Sequence, residues 1–164
     1  MEKINLAKLY DLQADLDKEI AKNHGCTYES THEKRLLALI IEIGELANET
    51  RCFKFWSNKG PSPKEITMDE YADGLHFFLS LGIPLKTTKM EYELSKNEGE
   101  LTLQFHEVYR LIVDLKEHYD LAHYTKALQY FLNIVLSLGY HAEDITQAYL
   151  AKLEVNHTRQ ATNY

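Results

Sequence analysis

Leu36-Leu37-Ala38-Leu39-Ile40-Ile41-Glu42-Ile43-Gly44-Glu45-Leu46-Ala47 decides the fold. The run is too long for an ordinary strand and apolar on nearly every side, which predicts a helix buried within the protein. Ser30-Thr31-His32-Glu33 reads as the capping box that opens it, and it continues to about Thr50. On its N-terminal side, Leu9, Leu12, Leu16 and Ile20 recur at helical spacing from about Asn5 to Lys22, where Asn23-His24-Gly25 ends the periodicity. On its C-terminal side, Ser57-Asn58-Lys59-Gly60-Pro61-Ser62-Pro63 is the clearest loop. Thr67-Met68-Asp69-Glu70 opens a third helix, closed by Gly82 and Pro84. Phe105 to Leu115, Asp120 to Leu138 and Glu143 to about Arg159 supply three more, and residues 85–100 read as either a loop or a short helix. No stretch alternates as a strand does. The expected fold is all-α, a bundle of about five to six helices.

A chain of 164 residues has room for one domain with a substantial core, spanning 1–164. Its formal charge of −7 argues against gripping a nucleic-acid backbone, which takes clustered lysine and arginine. No apolar run reaches the length of a membrane span and the first residues lack a signal-peptide stretch, so a cytoplasmic protein is expected. Cys26 and Cys52 form neither a CxxC pair nor a disulfide framework and are expected as reduced, partly buried thiols.

Chemistry enters with the acids. Glu42/Glu45 and Glu70/Asp73 each stand three apart, on one helical face. Spacing alone proves little, because 25 acids in 164 positions give about four such pairs by chance. The other two, Asp114/Glu117 and Glu117/Asp120, sit among Lys116 and His118 at a helix end and read as solvated. Glu42 and Glu45 interrupt an apolar run, where an unpaired carboxylate costs several kcal/mol. A cation would satisfy them, and four oxygen donors on two packed helices suit Mg²⁺ or Mn²⁺. Gly44 between them leaves room for a close neighbour. For Glu70 two readings stand, a metal ligand or the far end of a Thr67 capping box. Phe53 and Phe55 are expected in the core, with Trp56 as the wall of a base pocket. Lys152, Asn156 and Arg159 share one helical face, a stripe suited to phosphate oxygens or to solvent.

Glu42-Ile43-Gly44-Glu45, the Phe53-Lys54-Phe55-Trp56 segment and Glu70-Tyr71-Ala72-Asp73-Gly74-Leu75-His76-Phe77-Phe78-Leu79-Ser80-Leu81-Gly82 together resemble the dimeric all-α dUTP diphosphatases. That family lies within the all-α nucleoside triphosphate pyrophosphatases, with the MazG-type enzymes. Tyr149 to Gln160 is similar to its C-terminal phosphate-contacting helix, whereas residues 84–120 match poorly and Asn163-Tyr164 stands where the family often has Gly-Tyr. The resemblance implies a homodimer that hydrolyses dUTP to dUMP and pyrophosphate, and dUDP to dUMP. It implies two or more Mg²⁺ ions on Glu42, Glu45, Glu70 and Asp73, with Glu45 activating the water. It further implies that Gln13 and Trp56 address the base, His76 and Phe77 lie against the nucleoside, and Lys59, Lys152, Asn156 and Arg159 hold the phosphates. Three other readings stand beside it: a pyrophosphatase for another nucleotide such as dCTP, a di-iron bundle using Glu29-x-x-His32 and Glu154-x-x-His157, and a helical interaction module without enzyme activity.

Overall fold

The computed structural model describes residues 1–164. Six helices form it: α1 (Ala7–His24), α2 (Tyr28–Thr50), α3 (Lys64–Gly82), α4 (Leu101–Glu117), α5 (Leu121–Ser137) and α6 (Ala142–Ala161). Two three-residue strands, β1 (Lys3–Asn5) and β2 (Glu91–Glu93), pair antiparallel with Ile4 opposite Tyr92. The sequence shows no strand because three residues are too few for alternation to register, yet each strand buries its middle residue and exposes its ends. β2 resolves the ambiguity of residues 85–100, which are loop and strand and contain no helix.

Local chemistry fixes the helix ends. α2 opens one turn earlier than the sequence suggests. Thr27 is its cap, with the Ser30 amide donating to Thr27 Oγ1 (3.1 Å) and the Thr27 amide donating to Ser30 Oγ (2.9 Å). The Ser30-to-Glu33 box is therefore already inside the helix. α3 likewise starts at Lys64 after Pro63, whose fixed φ suits a helix entrance. Glu70 then lies well inside α3, and its reading as a cap residue falls. Asp120 does cap α5, accepting from the His123 amide at 2.9 Å.

α3 is the central element: α2 packs along it on one side, α1 and α6 on another, and α4 with α5 completes the bundle against α2. Leu36, Leu39, Ile43 and Leu46 turn from α2 into a single cluster with Tyr71, Leu75, Phe78 and Phe131, roughly 1.5–3 kcal/mol for each large side chain so buried. α2 is not apolar-buried all round, because Leu37 and Ile41 are exposed on its opposite face. The loop after α2 departs further from expectation. Phe55 is 94% exposed and Trp56 65%, and with the half-exposed Phe53 they form an edge-to-face surface cluster rather than core. Gly44 admits the Tyr109 hydroxyl of α4, which donates to the Ile40 carbonyl at 3.3 Å. Cys26 and Cys52 are free and half-buried.

Candidate active site

The pairing of α2 with α3 brings Glu42, Glu45 and Glu70 together, with one oxygen from each lying within 4.8 Å of the others. No basic side chain forms an ion pair with them, and the Lys152 charge that acts on Glu70 does not outweigh the neighbouring acids. Burial, followed by the Glu45 contact and the charges of Asp73, Glu45 and Glu70, pushes Glu42 up to about 8. Burial and then the Glu45, Asp73 and Asp69 charges push Glu70 up to about 7. Glu42 Oε2 is buried with no hydrogen-bond partner. An orphaned carboxylate oxygen beside two further carboxylates is an all-oxygen donor set, which fits a hard divalent cation.

Asp73 lies one turn further along α3 and faces Lys152 of α6 instead of joining the trio. Lys152, only 6% exposed, donates to Asp69 Oδ2 (2.7 Å) and Asp73 Oδ2 (3.0 Å). Burial alone would lower the Lys152 ammonium, and the two carboxylates more than offset it. On Asp73 burial outweighs the pull of Lys152, so that carboxyl stays above its ordinary range. The structure thus places the buried Lys152 in an ion-pair triad with Asp69 and Asp73.

Behind the carboxylates opens a cavity of about 700 Å³ between α1, α2, α3 and α6. Glu42 and Asp73 line it, with Gln13, His76, Phe77, Asn156 and Arg159. Glu45 and Glu70 border the adjoining hollow. Gln13 and His76 are buried and joined, with His76 Nδ1 2.6 Å from Gln13 Oε1. Asn156 and Arg159 are half-buried, and the Arg159 guanidinium lies over the Tyr164 ring, 4.8 Å from its centroid. Trp56 and Lys59 are outside the cavity, on the exposed loop after α2. The ExxH residues do not approach the trio either: His157 meets Glu19 at 2.7 Å, and His32 packs at a tilt against Tyr119.

Sequence reading passes over Asp17, Tyr28, Ser80 and Tyr149. Asp17 accepts from Gln13, Tyr28 and Ser80, and Tyr149 donates to Gln13 Oε1 at 2.9 Å while stacking on His76. A signal was present. Asp17 follows Gln13 by four residues and Ser80 follows His76 by four, each pair on one helical face.

A six-helix bundle that sets three carboxylates at the edge of a nucleotide-sized cavity defines the class, an all-α nucleotide pyrophosphohydrolase. The dUTPase family model matches residues 5–164, and the chain belongs to the dUTPase family. It is an enzyme that hydrolyses dUTP, which sets aside the di-iron bundle and the interaction module. No curated protein matches the sequence.

Proposed function

We propose that the protein converts dUTP to dUMP and pyrophosphate, and dUDP to dUMP and phosphate, as a Mg²⁺-dependent single domain. The observation that carries the metal dependence is Glu42 Oε2, buried without a partner beside Glu45 and Glu70. Glu42, Glu45 and Glu70 would hold the ions, with Asp73 as the fourth carboxylate at the cavity wall and Mn²⁺ as a substitute. When bound, Mg²⁺ supplies the positive charge that the phosphate oxygens require in so acidic a site. Glu45, the exposed member of the trio, orients the attacking water and takes its proton. Arg159 and Asn156 hold outer phosphate oxygens, while Lys152 fixes Asp73 and offsets part of the cluster's charge. Phe77 packs against the deoxyribose and offers no polar partner to a 2′-hydroxyl.

The exposed Leu37 and Ile41 on α2, with Phe55 and Trp56 close by in sequence, support a homodimer that covers them. No helix is long and apolar enough to cross a membrane, and we place the enzyme with the cytoplasmic nucleotide pool.

A panel of ribo- and deoxynucleoside triphosphates with Mg²⁺ tests the reading. Cleavage of dUTP is expected to exceed that of UTP and dTTP by about tenfold or more, roughly 1.4 kcal/mol in transition-state binding. EDTA is expected to abolish it. Equal rates on dUTP and dCTP would refute the specificity, and turnover that survives EDTA would refute the metal. Light scattering decides the dimer.

A further inference from the structure

The buried polar network behind the carboxylates fixes its own proton positions, starting from Asp17. Asp17 Oδ1 accepts from Gln13 Nε2 at 2.9 Å. Its Oδ2 accepts from the Tyr28 hydroxyl and the Ser80 hydroxyl, each at 2.9 Å. A carboxylate only accepts, so the Gln13 amide must turn its NH₂ toward Asp17 and its oxygen toward His76. That oxygen also only accepts, so the proton on His76 is at Nδ1, across the 2.6 Å contact. Tyr149 holds the same oxygen from a second side and stacks on the imidazole, centroids 4.1 Å apart. Burial drives His76 down to about 4, outweighing the Tyr149 backbone carbonyl near the ring, which alone would raise it, and so keeps the ring neutral with a single N–H. Its other nitrogen, Nε2, then carries a lone pair, and it is buried with no partner on a residue that is 5% exposed and lines the cavity.

We propose that Asp17 is a positioning residue for substrate: through Gln13 it holds His76 in the Nδ1–H tautomer, so that Nε2 accepts a hydrogen bond from an O–H or N–H donor of the bound nucleoside. This rests on the dUTP reading for the identity of the nucleoside, and on nothing beyond the network for the tautomer. Two groups of deoxyuridine carry such a donor, the 3′-hydroxyl and the imide N3–H. A buried acceptor left unmatched penalises a ligand that lacks the donor more than an exposed one would.

Asp17→Asn reverses the relay while keeping its shape. The amide oxygen takes the Oδ2 position that Tyr28 and Ser80 require, which puts an NH₂ against Gln13. Gln13 must then invert, its own NH₂ donates to His76 Nδ1, and the proton moves to Nε2. Two-bond ¹H–¹⁵N correlation spectra of the histidines read the tautomer directly, without turnover. The expected result is Nδ1–H in the parent and in Tyr28→Phe, and Nε2–H in Asp17→Asn. Steady-state rates on dUTP, its 3′-deoxy analogue and N3-methyl-dUTP supply the second readout. One analogue, the one missing the donor, is expected to lose about tenfold in kcat/KM with the parent and nothing further with Asp17→Asn, which itself loses about tenfold on dUTP. An Nε2–H tautomer in the parent, an unchanged tautomer in Asp17→Asn, or analogue losses equal in the two proteins would overturn the proposal. A parent that leaves dUTP intact would overturn the substrate reading, while the spectra still decide the role of Asp17.

Discussion

Two polar regions meet on α3, and they are built on opposite principles. Around His76 the buried groups on Asp17, Gln13, Ser80 and Tyr149 are matched donor to acceptor, with one nitrogen left over. Around Glu70, three acids converge with no cation among them, and two titrate well above the ordinary carboxylate range. The first arrangement rigidifies a shape before substrate arrives. The second stores repulsion that a proton or a metal cation relieves. The matched network is thus preorganised within the fold, while the acidic trio awaits a positive ligand. Lys152 belongs to both, since it rises from α6 beside Tyr149 and ends on Asp69 and Asp73.

The hardest blow to this contrast is Glu42→Gln, which keeps the shape and removes one repelling charge. Turnover of dUTP is expected to fall by about a hundredfold or more, from lost metal affinity and misplaced water. The thermal midpoint in EDTA is expected to equal or exceed the parent's. Mg²⁺ is expected to raise the parent's midpoint far more than the variant's, because it binds the native state preferentially. A variant that melts well below the parent in EDTA yet still turns over would mean that Glu42 is structural.

Lys152→Met probes the seam between the regions at smaller cost. It retains the aliphatic bulk but leaves Asp73 half-buried without its partner. Because Asp69 is half exposed and can rehydrate, the loss is expected at about 2 kcal/mol, below the range for a fully buried pair. Chemical denaturation measures it. No loss of stability would show that the triad is a surface contact whose geometry contributes nothing.

Most of the second region was legible in the sequence and little of the first. Glu42 and Glu45 stand out because acids inside Leu39 to Ala47 conflict with their surroundings, and such conflict is local information. The six helices are legible for the same reason, since a 3.6-residue period is written into each segment. Asp17 sits on an amphipathic helix where any acid passes for solvated, and its meaning depends on Ser80, 63 positions away. Lys152 shares a face with Asn156 and Arg159, so helical spacing sends all three toward phosphate; only the packing of α6 on α3 reveals that Asp69, 83 positions away, claims it. Trp56 is placed by the loop after α2, whose path no periodicity records.

The smallest effect separates the regions by pH alone. The folded-state pKa of Glu42 is raised to about 8 and that of Glu70 to about 7, against about 4.3 for an unfolded glutamate. Between these limits the native state holds more protons than the unfolded chain, so stability present at low pH is lost as pH rises through 7 and 8. His76 acts in the opposite sense. Its folded pKa is lowered to about 4 against about 6.5 unfolded, so the unfolded chain binds the extra proton and stability grows as pH rises to 6.5. His76 therefore contributes nothing further above pH 6.5; Asp17, raised by burial, is common to both proteins and cancels in their difference, so the acidic trio sets the slope that distinguishes parent from Glu42→Gln between 6.5 and 8. The exposed His141–Glu2 pair also titrates, but it is common to both proteins and cancels in their difference. Melts in EDTA are expected to show the parent losing a few degrees across that window relative to Glu42→Gln. Excess Mg²⁺ is expected to reverse the slope in the parent, because the ion competes with the same protons. Parallel curves in EDTA would mean that Glu42 ionises as an ordinary surface acid, and the stored repulsion that sets the two regions apart would not exist.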